Sequence, residues 1–384
     1  MTTASTAPSA PLQPVSRGLD AVWGLMGLVA LLLPLSTTGG TWIGNADLTV
    51  LLMIAGILLF ALAGLRPRRS GMRGPLVLAG AALTAIATLV ALRSGTVGFG
   101  EGGAGYTLAG LAAMAAAFRG IALVARLPET SLPVRLLPPA ALGLTLLYAW
   151  EGGCLGFGVP AVLLPPPSAI GAAFAANLPV LWQDFVQTVW KGALRGYLIG
   201  CTAGILLGVA ADRVAFLRRG LLPVANLMSA APIVGVAPIM VMWFGFDWPS
   251  KAAVVVVTTL FPMLVNTLAG LSATSRQELD LMRSYAASHA TTLLVARLPN
   301  ALPFLFNGLK ISATLALIAA IVAEFFGTPV VGMGFRISTE VARMNVDVVW
   351  ATILVAAIAG SGTYAALSFI ERRVTFWHPA MRGR

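Results

Sequence analysis

The sequence predicts an all-α, polytopic membrane protein, and three observations carry that expectation. Only 10% of the 384 residues are charged while 58% are hydrophobic, far from the roughly 25% charge of an ordinary soluble domain. The apolar residues gather into long runs, and the basic residues gather between those runs. An unpaired charge at a bilayer centre costs on the order of 3 kcal/mol, so a chain lying in lipid keeps charge out of long stretches. The formal net charge of +11 then reflects arginines in loops. A nucleic-acid surface is excluded, because no basic helix or aromatic-interleaved patch is present.

A helix needs about 20 apolar residues to cross the hydrocarbon with its backbone satisfied internally. Ten runs qualify, near residues 20–36, 49–65, 75–92, 105–125, 135–150, 184–210, 221–243, 252–272, 306–327 and 347–370. Seventeen basic residues fall on the cytoplasmic side if both termini face inward, among them Arg66, Arg68, Arg69, Arg73, Arg283 and Arg297. Six fall outside: Arg93, Lys191, Arg195, Lys251, Arg336 and Arg343. That asymmetry predicts cytoplasmic N- and C-termini.

The chain divides by texture. Residues 1–19 read as a disordered cytoplasmic tail; the stretch to Ser16 lacks the basic start of a cleaved signal. Residues 20–130 read as a four-span accessory region with short loops, and 131–372 as a six-span core rich in proline punctuation. A second cytoplasmic tail occupies 373–384. The run Leu163–Ser168 (LLPPPS) cannot be helix interior, so Ala169 to Trp182 is expected to lie as an interfacial helix. Cys154 and Cys201 stand in apolar surroundings, which suggests neither disulfide nor metal. No internal repeat is visible.

One hydrophilic loop interrupts the core, within residues 273–303: ATSRQELDLMRSYAASHATTLLVARLPNALP. It is too polar to cross lipid. Leu279, Met282, Tyr285, Leu293, Leu294 and Leu298 recur at roughly helical spacing, and Pro299 and Pro303 end the piece. An amphipathic piece in the cytosol calls for a partner groove, unless it is a plain solvated connector.

The residues Asp280–Ser288 (DLMRSYAAS) and Arg297–Lys310 (RLPNALPFLFNGLK) resemble the permease signature of binding-protein-dependent ATP-binding-cassette importers, type I. That signature reads Glu-Ala-Ala, then Gly, then Pro. Aligned on Arg283, Asp280 stands at the Glu, Leu281 and Met282 at the alanines, and Ala286 at the glycine; Pro299 and Pro303 match. Leu164–Ser168, Ser229–Asp247 and Val322–Gly327 are similar to further family motifs in the right order. The resemblance covers about residues 160–372 and leaves 1–130 unmatched.

What the resemblance implies is a permease subunit whose loop is the coupling element, through Asp280, Met282, Arg283, Tyr285, Ala286, Ser288, Pro299 and Pro303. It also implies a pair of ATP-binding subunits, a second permease copy, a substrate-binding protein and a bacterial inner-membrane location. ATP and Mg would sit in the partner. This chain has no phosphate-binding loop, and none of its three lysines follows a glycine, so no enzyme activity or bound cofactor is expected of it. The runs Ala323–Ser338 and Glu371–Pro379 are similar to the sub-branch associated with pyrimidine-type thiamine precursors or riboflavin. Taurine, sulfonate and nitrate are the alternative.

Several polar residues lie within expected spans. Pro232 and Pro238 predict a kinked or partly unwound helix, making Asn226, Ser229, Met240 and Trp243 candidates for the pathway wall, with Asn266 on the next span. For each, packing glue is the commoner role of such a residue, ahead of the pathway wall. Glu324 in AAIVAEFFG is either a gate or lining residue or a hydrogen-bonded structural carboxylate. Lys191 and Arg195 are spaced to snorkel. An ion-coupled secondary transporter would need paired midplane charges, and Glu324 stands almost alone. His289 and His378 are too far apart in sequence to suggest a metal site or a membrane-embedded enzyme.

Overall fold

The computed structural model describes residues 25–30, 32–33, 48–65, 72–94, 103–128, 131–229, 232–327 and 330–377. The expected tail at 1–19, most of the run 20–36, the loop arginines Arg66, Arg68 and Arg69, and residues 378–384 lie outside the described residues. Every regular element among the described residues is helical, as a chain must be when lipid offers its backbone no partners. The helices gather into two compact units, Met1–Ala169 and Ile170–Arg384.

The first unit packs α1 (Leu48–Leu65), α2 (Arg73–Arg93), α3 (Ala104–Val124) and α4 (Leu132–Gly156). Glycine decides how closely they approach. A Cβ on Gly56 would lie 2.7 Å from the carbonyl of Gly80, and one on Gly80 2.7 Å from that of Gly56, so α1 and α2 meet backbone to backbone. Small residues are the usual device for helix contact in lipid, where no hydrophobic drive exists. Helix α4, grouped by sequence texture with the core, packs here against α2 and α3. The Tyr148 hydroxyl shares a 2.9 Å hydrogen bond with Thr88, and Arg93 pairs with Glu151 at 3.0 Å. Glu151 also accepts from the Ser168 amide (2.9 Å) and hydroxyl (2.7 Å), which anchors the proline run. A helix, α5 (Pro167–Ala176), begins directly on that run, since proline fits a first turn.

In the second unit α6 (Leu178–Phe185) continues through a π-helical stretch, Val186–Ala193, into α7 (Leu194–Arg213). The span expected from residue 184 therefore starts at Leu178, and the expected interfacial helix at 169–182 is divided between α5 and α6. Then come α8 (Ala215–Ser229), α9 (Ile233–Phe244), α10 (Trp248–Ser272), α11 (Arg276–Ser284), α12 (His289–Thr292), α13 (Leu298–Phe326), α14 (Met333–Ala342) and α15 (Val346–Val374). The expected span 221–243, read as kinked or partly unwound, is broken into α8 and α9, which lie 103° apart. Pro232 caps α9 in an extended conformation, ψ 114°, and has no N–H with which to continue α8.

Helix α10 is central, with α7 on one side and α13 on the other. Along α7 a Cβ on Gly196 would lie 2.6 Å from the Ala252 carbonyl and one on Gly204 2.6 Å from that of Leu260. The core between these helices is alanine-rich, with Ala193, Ala316, Ala319, Ala320 and Ala323 buried beside Val254, Val255 and Met263. Among the described residues seven helices are long and apolar enough to cross a membrane, or eight if α8 and α9 form one span. The expected ten also counts 20–36 and the run now forming α1.

Candidate functional site

Two polar regions sit at opposite ends of α13. At its start lies the hydrophilic loop. Ser275 caps α11 with a reciprocal capping box: its hydroxyl accepts from the Glu278 amide at 3.2 Å, and Glu278 accepts from the Ser275 amide at 2.9 Å. Glu278 also accepts from the Asn300 side chain at 3.0 Å, and these bonds, that of Asn300 first, hold its carboxyl below the ordinary carboxylate value. No residue of α11 is buried. Leu281 (56% exposed) and Tyr285 (77%) share one face by their four-residue spacing, and Met282 is half-buried. Asp280 and Arg283 pair at 3.0 Å in the open.

Helix α11 ends in a Schellman turn, with the Ala287 amide on the Met282 carbonyl (3.0 Å) and the Ala286 amide on that of Arg283 (2.9 Å). That turn needs a left-handed residue, and Ala286 supplies it with φ 49°. An L-residue there costs about 1 kcal/mol against glycine. The position is the one where the resembled signature carries glycine, the residue best suited to that conformation. Ser288 then caps α12 by accepting from the Thr291 amide at 3.1 Å. Exposed Leu294 and Val295 follow. Pro299 lies in the first turn of α13, and Pro303 stands inside it.

Arg297 fastens the end of the loop. Its guanidinium donates to both oxygens of Asp212, at 2.6 and 2.8 Å, and to the Leu271 carbonyl at 3.2 and 2.9 Å. Asp212 closes α7 and Leu271 lies in the last turn of α10, where a cation also meets the negative end of the helix dipole.

At the far end of α13, Glu324 is 2% exposed. It accepts from the Thr188 hydroxyl at 2.9 Å and the Gly334 amide at 2.8 Å, with the fully buried ammonium of Lys251 at 3.9 Å. Thr188 in turn accepts from the Met333 amide at 2.8 Å. Asp184, one turn before Thr188, accepts from the Gly332 amide and the Arg336 guanidinium, both at 2.8 Å. Gly332 has φ +145° and a Cβ there would lie 2.7 Å from the Glu324 carboxylate; only glycine fits. The cluster thus ties α14 to α6 and α13, and Glu324 is held by hydrogen bonds from Thr188 and Gly334.

The remaining candidates are dispersed. Asn226 is exposed on α8 and Trp243 is 71% exposed on α9. Met240 packs on the core, and Ser229 is the last residue of α8. Asn266 donates to the Pro262 carbonyl at 2.8 Å and accepts from exposed Asn307 at 3.1 Å. Arg195 stacks over the Trp248 ring at 4.5 Å. Sequence reading missed Asp184, Thr188, Lys251, Asp212 and Asn307 as partners. An intramembrane Asp four residues before a Thr was a usable signal; the pairing of residues 85 positions apart was not.

The profile of the family "Binding-protein-dependent transport system inner membrane component" matches residues 200–376. A probable ABC transporter permease protein of Haemophilus influenzae is 30% identical over 243 residues, 62% of this chain and 97% of that protein. The riboflavin transport system permease protein RibX of Chloroflexus aurantiacus is 29% identical over 65% of this chain and 91% of its own length. The formylaminopyrimidine transport permease protein ThiX of Halalkalibacterium halodurans is 30% identical over 63% and 96%.

Proposed function

The chain belongs to the permease subunits of binding-protein-dependent ABC importers, and from that premise we propose that residues 273–303 are its coupling element, seated in a groove of an ATP-binding subunit. It is a multi-pass inner-membrane transport protein, and its relatives imply an ATP-binding partner and a substrate-binding protein. The observation that carries the coupling reading is a capped, wholly surface-lying helix whose Leu281 and Tyr285 stay exposed while its exit is tied down by Arg297. A solvated connector needs neither exposed apolar residues nor a bidentate anchor. Asp280, Met282, Arg283, Ala286, Ser288, Pro299 and Pro303 shape or flank the docking face.

In this reading the loop and both termini face the cytoplasm. Two permease copies meet two ATP-binding subunits, in which ATP and Mg are bound and hydrolysed. Residues 20–130 are an accessory membrane region and 131–372 the importer core. The transported solute is a pyrimidine-type thiamine precursor or riboflavin. That choice is supported by the named substrates of two relatives and by neutral amides (Asn226, Asn266 and Asn307) on α8, α10 and α13. Such amides suit the edge of an uncharged heterocycle. Glu324 serves the gate region as a structural carboxylate.

Copurification tests the proposal. Tagged chain extracted from its own membranes should bring down an ATP-binding subunit, and Tyr285→Asp should cut recovery at least tenfold. Full recovery with Tyr285→Asp and Leu281→Asp together removes the loop from the docking surface. Uptake of labelled pyrimidine precursor or riboflavin, but not taurine, should be lost on deletion of the chain.

A further inference from the structure

Between the loop and the membrane helices lie two separate sets of polar contacts. Helix α11 is tied by Glu278 to Asn300 on the first turn of α13. One residue before α13 begins, Arg297 holds both Asp212 on α7 and the Leu271 carbonyl on α10. One side chain thus joins the end of the loop to α7 and to α10. Arg297 and Asp212 are 16% and 8% exposed at their side chains, so this is not a screened surface pair of little effect. Nor is a buried pair needed to hold helices together, since apolar residues of the same volume do so at least as well. What a planar guanidinium with two carboxylate bonds adds is a fixed angle between the parts it joins.

We infer that the Arg297–Asp212 pair is the transmission joint of this permease, converting displacement of the loop into movement of α7 and α10. The inference rests on the coupling reading above. Arg297 and Asp212 are positioning residues: they lie behind the docking face, so their loss leaves the ATP-binding subunit bound and active but disconnects its stroke. A plain structural role makes a different forecast, because it would lower assembly and hydrolysis together.

The test uses the whole complex of this chain with its ATP-binding subunit, in lipid nanodiscs, without added solute. A bimane fluorophore on Val341→Cys reports from α14, at the end of α13 remote from the loop; Val341 is 51% exposed. In the wild-type background, ATP with vanadate should change bimane emission. Arg297→Gln and Asp212→Asn should each reduce that change at least fivefold, with ATP hydrolysis staying within twofold. The double variant should be no worse than either single one, as two halves of one contact require. Arg297→Lys, which keeps the charge and loses the fork, should fall in between. If Arg297→Gln does not assemble, Asp212→Asn, which retains shape and an acceptor oxygen, decides, and failure of both to assemble overturns the joint in favour of a plain structural role.

A full-sized emission change in Arg297→Gln or Asp212→Asn, with wild type responding, overturns the joint and leaves the coupling reading intact. So does a wild-type complex in which the α14 reporter is silent, for then no stroke arrives there. A wild-type chain that binds no ATP-binding subunit overturns both.

Discussion

In the first unit α1 and α2 approach until the backbones of Gly56 and Gly80 touch, and α7 and α10 of the second unit do the same at Gly196 and Gly204. The two units share a packing solution and differ in where charge is placed. In the first, Arg93 and Glu151 meet at a rim where the arginine is 56% exposed. In the second, ion pairs gather on α13 and its neighbours: Arg297–Asp212 at its start, Lys310–Glu371 along it, Lys251–Glu324 near its end. Small residues alone suffice to hold helices in lipid, and buried charge does not improve on them. Charge concentrated on one helix is therefore a device for orientation. It marks α13 as the element whose position must be defined at both ends.

Breaking one buried pair should give the largest effect. Lys251→Ala leaves Glu324 without its cation and should cost about 3–5 kcal/mol, whereas Arg93→Ala should cost under about 1 kcal/mol; thermal melting of the purified chain compares them. Equal losses would erase the contrast. Next comes the shared packing. Gly56→Leu and Gly196→Leu should each destabilise by about 1–3 kcal/mol, because both force backbones apart, and melting should show the two units equally sensitive.

Smaller effects sharpen the account of the loop. Ala286→Gly should stabilise α11 by about 1 kcal/mol by relieving the left-handed strain, seen as slower amide exchange at Arg283 to Ala287. Acidification should do the reverse. Glu278 has its carboxyl held below the ordinary 4.5, so its contribution is complete above that value and lost as pH falls through the lowered one. Exchange of the α11 amides should quicken below about pH 4, and Glu278→Gln should abolish that dependence.

Much of this was legible in the amino-acid order. Low charge and apolar runs predict helices in lipid, and α2, α3 and α15 begin and end within three or four residues of expectation. The loop could be found by its polarity, and Ala286 by its place in a known signature. Boundaries failed where backbone geometry changed without a compositional mark: the π-helical stretch at Val186–Ala193 carries α6 into α7. Pro232 did mark a break in its span, though not the 103° angle between α8 and α9. Glycines four apart at 192, 196, 200, 204 and 208 announced the close face of α7, yet a glycine-rich span hides such a stripe. Asp184, Lys251 and Asp212 carry no sequence mark of the residues they pair with. Their partners come from helices distant in sequence, and only folding brings them together.

The claim beneath all of this is that α11 and α12 are pushed from the cytoplasmic side. Ala290, exposed on α12, can be replaced by cysteine with little background, since Cys154 and Cys201 are buried. A membrane-impermeant maleimide should label Ala290→Cys in inside-out vesicles stripped of the ATP-binding subunit, should label it at least tenfold less when that subunit is restored, and should not reach it in intact cells. Labelling from outside intact cells would contradict the account.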